Sequence, residues 1–389
     1  MEIETPSGTE KEDELQARWH NVVRRRAFLK GIGVAGAMIP AGAILATGVK
    51  AAGFKRATSQ RSPLSRGDVA ILRFLAAAEI IETDLWQQYN ELGGVNGGNP
   101  AYIAALSNLD GDMPQYITDN TDDEVSHAAF LNAYLQSRGA EPVDLERFRR
   151  LPSSQATGAQ QVGRLTNLLK LVVDTSFYTR YRSSENPDLG GTFAQAVNIV
   201  NEPAIPLNDK DTPPTMDQPV PPVTTTARRM QAIANTAGFH FGYIEQGGAS
   251  LYASMALKVT DLEVLRVVIS IGGVEIDHFG LWHDKMGNAV AQPLAGVTDP
   301  ETGVTFPDLN NPATELSQTN KILPEPTDFL RNSGLPEVSI IRPTLTQNAG
   351  AVATIKSFTA DLLFEGQSRE FFDTVMALAE AADAAQRGF

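Results

Sequence analysis

The chain has 389 residues, of which 42% are hydrophobic and 20% are charged, so it is long and apolar enough to bury a substantial core. Its formal net charge of -14 argues against a nucleic-acid partner, because the phosphate backbone would repel an acidic surface. The absence of cysteine excludes disulfides, cysteine-ligated zinc, iron–sulfur clusters and thiol catalysis, so any metal site must use carboxylates and the five histidines.

Residues 1–52 are predicted to be an export signal rather than part of the fold. The segment 24–31, RRRAFLKG, resembles the twin-arginine signal of bacteria, and a mildly apolar run follows to about Val49, with small residues for cleavage at about Ala51. An uncleaved membrane anchor is the alternative, although Pro40 and many glycines disfavour a permanent span. We therefore expect export by the twin-arginine route to the periplasm or cell envelope, with membrane contact only during export.

Two long helices are predicted next. The first runs from about Asp68 to Leu92, and the apolar 3–4 spacing places Glu79 and Glu82 on its otherwise apolar face. The second runs from Pro114 to Arg138, with Asp112 as its N-cap.

Residues 139–226 are predicted to be an insertion. Within it the apolar residues of Gly158–Ser183 indicate a helix, whereas the proline-rich segment Pro203–Pro222 must be irregular. A loop of this length in a compact domain is usually functional or mobile.

A helical hairpin is predicted after the insertion. The third helix runs from about Thr226 to Leu257 and the fourth from Asp261 to Met286, joined by a tight connection. Thr260 and Glu263 have the spacing of a capping box at the start of the fourth helix.

Residues 291–389 form a mixed C-terminal extension to which we assign no chemistry. Val338–Ile341 and Val352–Phe358 are β-like, and Gln367–Ala385 is predicted to be a final amphipathic helix. The predicted fold class is therefore all-α: a four-helix bundle over residues 65–290 with a long insertion between its second and third helices.

Two of the four bundle helices carry a Glu-x-x-His motif, at 124–127 and at 275–278. Three residues along a helix place the carboxylate and the imidazole on one face, and the other two helices each offer glutamate on an apolar face. One Glu from each of two helices and Glu-x-x-His from each of the other two form the ligand set of a di-metal carboxylate bundle. The sequence therefore predicts two iron or manganese ions, with open positions for dioxygen or peroxide, held by a set drawn from Glu79, Glu82, Glu124, His127, Glu245, Glu275 and His278.

Glycines and tyrosines near these residues leave alternatives open. Gly247 and Gly248 follow the third-helix ligand, and Gly272 and Gly273 precede Glu275, which suggests close helix approach, a local bulge or an ordinary small-residue seam. Tyrosines seven residues after a candidate ligand either hydrogen-bond a ligating carboxylate or pack in the core: Tyr89 and Tyr252. Two histidines have no assigned ligand role, and each is packed in the core, exposed to solvent or in support of a metal ligand: His240 and His283.

At these residues the chain resembles the ferritin-like proteins, and in particular the branch that includes desiccation-related proteins. Residues 68–82, with the paired glutamates, look like that branch's first helix, and residues 123–131 look like its second-helix motif. The resemblance covers about residues 65–138 and 227–287. It implies iron, or alternatively manganese, and redox chemistry with dioxygen or peroxide.

The resemblance leaves the first-helix ligand open. In the family that glutamate is followed seven residues later by tyrosine, but Trp86 follows Glu79 at this distance and Tyr89 follows Glu82. The helix register favours Glu79, the tyrosine spacing favours Glu82, and both could bind as an extra-carboxylate variant.

Two classes of function are compatible with these features. The first is an oxidoreductase that oxidises Fe(II) or detoxifies peroxide or oxygen species. The second is a non-catalytic stress-protective, desiccation-related or structural envelope protein on the same scaffold, because fold alone does not determine function. The bundle is compatible with a homo-oligomer, although the insertion and the extension would hinder assembly into an iron-storage cage.

Overall fold

A computed structural model of the chain describes residues 63–176, 178, 197–211, 225–311, 335–339 and 350–387. The described residues form seven α-helices and two small two-stranded sheets, so the fold is all-α as predicted. The predicted signal at 1–52 lies outside them. None of the described helices is both long and apolar enough to cross a membrane.

The four predicted bundle helices are present, and each end lies within two residues of its predicted position. In chain order the helices are α1 (Arg66–Gly93), α2 (Pro100–Ser107), α3 (Met113–Ser137), α4 (Thr225–Ala256), α5 (Leu262–Met286), α6 (Ala351–Ala360) and α7 (Arg369–Asp383). The strands are β1 (Leu171–Val173), β2 (Ile199–Glu202), β3 (Val297–Thr298) and β4 (Thr305–Phe306). The short α2 was not predicted; it lies in the connection between α1 and α3 and packs against α4.

The bundle consists of two antiparallel hairpins, α1 with α3 and α4 with α5. In the first hairpin the Thr121 hydroxyl donates to the Trp86 carbonyl, and nearer the end of α1 Thr118 donates to Asn90. Helix α7 packs along the outside of α1, and α2 packs along α4. The apolar faces of the four long helices therefore meet in one core between the hairpins.

Two helix caps differ from the sequence prediction. Asp261, rather than Thr260, is the N-cap of α5, and its carboxylate accepts from the backbone N–H of Glu263 at 2.7 Å. The Thr260 hydroxyl instead donates to Asp68 of α1 at 2.6 Å, which ties the α4–α5 connection to the start of the bundle. Asp112 occupies the N-cap position of α3, but its side chain makes no capping hydrogen bond.

The helix predicted over Gly158–Ser183 is wrong over residues 158–175, whereas Ser176 and Tyr178 are helical. Its described part is irregular up to Lys170 and then forms β1, which pairs antiparallel with β2. The buried carboxylate of Asp84 on α1 accepts from the backbone N–H of Leu165 at 2.9 Å and of Thr166 at 2.8 Å. These amides donate to a buried carboxylate instead of a helical carbonyl, so the segment stays non-helical against α1.

The C-terminal extension also departs from prediction in part. Val352–Phe358, predicted to be β-like, lies in α6, where residues three to four apart such as Ile355 and Phe358 are buried in the helical pattern. The predicted helix Gln367–Ala385 is confirmed as α7. Of the predicted strand at 338–341, Val338 takes part in an isolated β-bridge, and residues 340–341 lie outside the described residues.

Candidate metal centre

Two overlapping groups of carboxylate and imidazole side chains lie between the two hairpins. The first group contains Glu79 of α1, two residues of α3 and one of α5: Glu79, Glu124, His127 and Glu275. The second group contains one residue of α3, one of α4 and two of α5: Glu124, Glu245, Glu275 and His278. In each group the candidate ligand atoms all lie within 4.8 Å of one another. Glu124 and Glu275 belong to both groups, so each is placed to bridge two ions.

His127 supplies the nitrogen of the first group. Its Nδ1 atom lies 3.0 Å from Glu124 Oε2, three residues earlier on the same helix. The same atom lies 3.4 Å from Glu79 Oε2 and 3.5 Å from Glu275 Oε1. One imidazole nitrogen therefore converges with carboxylates from three different helices.

His278 supplies the nitrogen of the second group. Its Nδ1 atom lies 3.1 Å from Glu124 Oε1 and 3.4 Å from Glu245 Oε2. Its other ring nitrogen, Nε2, lies 3.2 Å from the half-exposed carboxylate of Asp123. A carboxylate on the second ring nitrogen fixes ring orientation in many metal sites, and Asp123 was not predicted to have this role. Its position next to Glu124 is a signal that sequence reasoning could have used.

The protonation of the site follows from burial and crowding of like charges. Burial, together with the charge of Glu79, raises the pKa of Glu124 to about 7. Burial also raises the pKa of Glu275 well above its ordinary value, and the charge of Glu124 adds to this. Burial disfavours the charged form of His127, but the surrounding carboxylates outweigh it and raise the pKa of this imidazole to about 12. The cluster therefore carries more negative charge than it can hold without protons or cations.

The residues fit a pair of metal ions. Within the described part of the chain, several buried ligand atoms lack a hydrogen-bond partner: Glu79 Oε2, Glu245 Oε2, Glu275 Oε1, Glu275 Oε2 and His278 Nδ1. Buried polar atoms without partners are costly, and cations between them would satisfy all of them at once. The donor set of oxygen and nitrogen without sulfur suits iron or manganese.

A family model described as a ferritin-like domain matches residues 67–288, more than half of the 389 residues. The chain belongs to the ferritin-like family. No curated protein and no solved structure matches it. The narrower resemblance to desiccation-related proteins stays a prediction.

In this ferritin-like bundle Glu79, and not Glu82, belongs to the candidate ligand groups. Glu82 lies one turn further along α1 and is buried, and its Oε1 atom has no hydrogen-bond partner among the described residues. Burial, followed by the charges of Glu124 and Glu275, raises the pKa of Glu82 well above its ordinary value. Burial therefore favours the protonated form of Glu82, and its binding of metal stays a prediction.

The two tyrosines behave differently. Tyr252, seven residues after Glu245, donates its hydroxyl to Glu79 Oε1 on the opposite hairpin. Tyr252 therefore holds a candidate ligand of the first group, which is the first of the two alternatives predicted for it, a hydrogen bond to a ligating carboxylate. Tyr89 does not contact Glu82 in this way; its hydroxyl hydrogen-bonds a histidine of α4.

The two histidines without an assigned role, His240 and His283, are buried away from both ligand groups. His240 Nδ1 lies 2.6 Å from the Tyr89 hydroxyl, and burial lowers the pKa of this imidazole to about 3, so it is neutral. The ring of His283 packs against Tyr178 and Phe279 at centroid distances of 5.4 Å. Both are core residues of the ferritin-like fold in this chain.

Two of the four glycines permit close approach at the level of the site. A Cβ at Gly248 would overlap Glu275 Oε2 and lie 3.1 Å from the Cδ atom of the same side chain. A Cβ at Gly272 would lie 2.8 Å from Tyr252 Cβ on the paired helix. Gly247 and Gly273 have no described atom within 4 Å of such a Cβ. Close helix approach, one of the three readings of these glycines, therefore applies to one glycine of each pair.

Asn120 and Trp282 support the second group and were missed in the sequence. The Asn120 amide donates to Glu124 Oε1 at 3.0 Å and to Glu245 Oε1 at 2.9 Å. The Trp282 indole N–H donates to Asn120 Oδ1 at 2.6 Å, which determines the orientation of the amide. Asn120 precedes Glu124 by four residues and Trp282 follows His278 by four, so both lie on the ligand faces of their helices. That spacing is the signal that could have revealed them.

Proposed function

We propose that the protein is an exported, ferritin-like di-metal oxidoreductase that oxidises Fe(II) or detoxifies peroxide or oxygen species in the cell envelope. The single observation that carries this proposal is the pair of buried ligand groups that share Glu124 and Glu275. A buried pair of ions with bridging carboxylates can exchange electrons with a small oxidant while the ligands adjust their binding mode.

Each ion would be held by four residues. The first would bind between Glu79 and His127, the second between Glu245 and His278, with the two shared glutamates on both. When bound, iron or manganese supplies one-electron redox chemistry at each position. The chain's own hydrogen bonds, from Tyr252 to Glu79 and from the Asn120 amide to Glu245, hold the carboxylates in place.

The histidine side of the site is the side nearer to solvent. The side chains of His127 and His278 are 9% and 10% exposed, whereas those of Glu124, Glu245 and Glu275 are 0% exposed. The open positions would therefore be reached between α3 and α5, where the two histidines lie.

The first experiment is elemental analysis of protein purified without added metal, beside a Glu124→Ala/Glu275→Ala variant. We expect about two iron or manganese ions per chain in the wild type and none in this variant, because both groups lose both bridges. The matched control is Glu365→Ala/Glu370→Ala, which removes two exposed glutamates and should keep both ions. Loaded protein should then consume hydrogen peroxide, or Fe(II) with dioxygen; failure of both reactions would refute the oxidoreductase.

Export is proposed from the segment 24–31, which lies outside the described residues. Replacing Arg25 and Arg26 together with lysine should retain the protein in the cytoplasm, because the twin-arginine pair is read by the export machinery. Arg24→Lys is the matched control. Equal amounts of the double variant and the wild type in the envelope fraction would contradict export by this route.

The second candidate function is a non-catalytic stress-protective or structural envelope protein. The insertion and the extension favour it, because they are folded onto the bundle beyond what a metal site requires. The Gln367 amide, for example, donates to the carbonyls of Phe148 and Leu165 at 3.0 Å each, which joins the two added segments. Unchanged folding and protective activity without bound metal would favour this function over the first.

A further inference from the structure

A group of aromatic rings is joined to the candidate metal centre through Asn120. Trp86 of α1 and Trp282 of α5 stack with ring centroids 5.4 Å apart and planes inclined by 20°. Phe241 of α4 packs on both, at 4.9 Å from Trp86 and 4.6 Å from Trp282. Tyr116 of α3 meets Trp282 edge-on at 6.4 Å. Trp282 is thus the ring at which the group meets α3.

Trp282 is also the ring that is joined to the site. Its indole N–H donates to Asn120, and the Asn120 amide donates to Glu124 and Glu245. Two successive hydrogen bonds therefore connect this indole to two candidate metal ligands. Trp86, although stacked on Trp282, is fully buried, and its Nε1 atom has no hydrogen-bond partner within the described residues.

At the other end, Tyr116 reaches the surface. Its ring is only half-buried, and the Lys285 ammonium lies 5.5 Å from the ring centroid. Lys285 is partly exposed and pairs with Asp110 at 2.9 Å. A phenol in this position can exchange its proton with bulk water, which the buried pair of Tyr89 and His240 cannot do.

This arrangement of rings could carry electrons between the protein surface and the buried ligand groups. The ligand groups are buried, and the chain has no cysteine for a thiol or an iron–sulfur cluster, so a reductant larger than peroxide has no direct contact with the ions. Tryptophan and tyrosine are the side chains most easily oxidised by one electron. We propose that Asn120, Trp282 and Tyr116 form a one-electron relay from the metal centre to the surface, where a small phenol-type reductant is oxidised.

The relay rests on the proposed function and uses hydrogen peroxide as the oxidant. Peroxide takes up two electrons and two protons to give two water molecules. Each of the two electrons would come from Tyr116 through Trp282 in a separate one-electron step, so one turnover consumes two external phenols and the metal ions, when bound, would end in the oxidation state in which they began. The Tyr116 phenol releases its proton to bulk water and becomes a neutral radical. The external phenol then returns one electron and one proton to the Tyr116 oxygen and leaves as a phenoxyl radical.

The test compares wild type, Tyr116→Phe and Trp282→Phe with the control Tyr134→Phe, after loading with the same metal. Tyr134 lies on the same helix and is stacked on Phe130, but it has no ring contact with Trp282. Peroxide is added with a nitroso spin trap, adducts are located by peptide mass spectrometry, and radicals are followed by electron paramagnetic resonance. Metal content and peroxide consumption are measured in the same samples.

We expect a trapped radical on Tyr116 that is lost in Tyr116→Phe, lost in Trp282→Phe and retained in Tyr134→Phe. Tyr116→Phe does not touch Asn120, so it keeps the test valid even if Trp282→Phe loses metal or fails to fold. Consumption of peroxide without an adduct on Tyr116, or with the same adduct in a folded, loaded Trp282→Phe, would overturn the relay and leave the proposed function standing. No consumption of peroxide by loaded wild type would overturn both.

Discussion

Gly248→Ala is expected to weaken the binding of both metal ions while leaving the bundle folded. A Cβ at this position overlaps Glu275 Oε2 and lies 3.1 Å from Cδ, so the carboxylate must move by about 1 Å to restore van der Waals contact. Glu275 belongs to both ligand groups, so the affinity for both ions should fall. Displacing a support of this kind typically costs about 10–100-fold in metal affinity. Titration of metal-free protein with Mn(II) should show this loss at both positions.

The neighbouring glycine provides the control. A Cβ at Gly247 has no described atom within 4 Å, so Gly247→Ala should retain wild-type affinity. Both substitutions replace a mid-helix glycine by alanine, and Gly247→Ala should therefore raise the free energy of unfolding of metal-free protein by about 1 kcal/mol in a urea titration. Wild-type affinity for two ions in Gly248→Ala would refute the reasoning, since the carboxylate would then be free to bind from a displaced position.

Three further predictions concern single contacts. Tyr252→Phe removes the hydrogen bond to Glu79, which belongs only to the first group. Titration should therefore show that the affinity for one ion falls by about 10–100-fold and the affinity for the other is unchanged. An equal loss of affinity for both ions would contradict the assignment. Burial raises the pKa of Asp361 to about 8, so the folded state holds a proton that the unfolded state loses, and stability should fall as the pH rises from about 4 to 8. Asp361→Asn should remove this slope and add up to about 4 kcal/mol at pH 7 in urea unfolding, with no gain at pH 3. Asp84→Asn should cost about 1–3 kcal/mol and expose the insertion to limited proteolysis, because the amides of Leu165 and Thr166 lose their bonds to a charged acceptor. A protease pattern identical to that of the wild type would argue against this anchor.

The long helices could be predicted because each repeats the helical spacing of apolar residues over 25 residues or more. The insertion could not, because its conformation depends on a partner distant in sequence. The amides of Leu165 and Thr166 are satisfied by Asp84, about 80 positions earlier. The sequence prediction for α6 was wrong because its valine, isoleucine and threonine residues are more common in strands, whereas packing against α7 stabilises the helix.

The candidate ligands could be predicted where two of them lie at a fixed spacing along the same helix. The three-residue spacing of Glu124 with His127 places both on a single face without any knowledge of the neighbouring helices. The same rule fails for Glu79 and Glu82, because three residues on one helix leave both on the inner face. His127 Nδ1 and the Tyr252 hydroxyl both converge on Glu79, so only the packing of the hairpins separates the two candidates.

Two hydrogen bonds that support the site cross between the hairpins. Tyr252 on α4 holds Glu79 on α1, and Asn120 on α3 holds Glu245 on α4. No periodicity within one helix can reveal such a bond, since it joins residues that are more than 120 positions apart. The same crossing makes the positions of the candidate ligands depend on how the two hairpins pack, because a shift of one hairpin moves a carboxylate away from its hydrogen-bond donor. Metal binding would therefore be coupled to hairpin packing, and Gly248 and Gly272, at the contact between α4 and α5, are part of the candidate site although they supply no ligand atom.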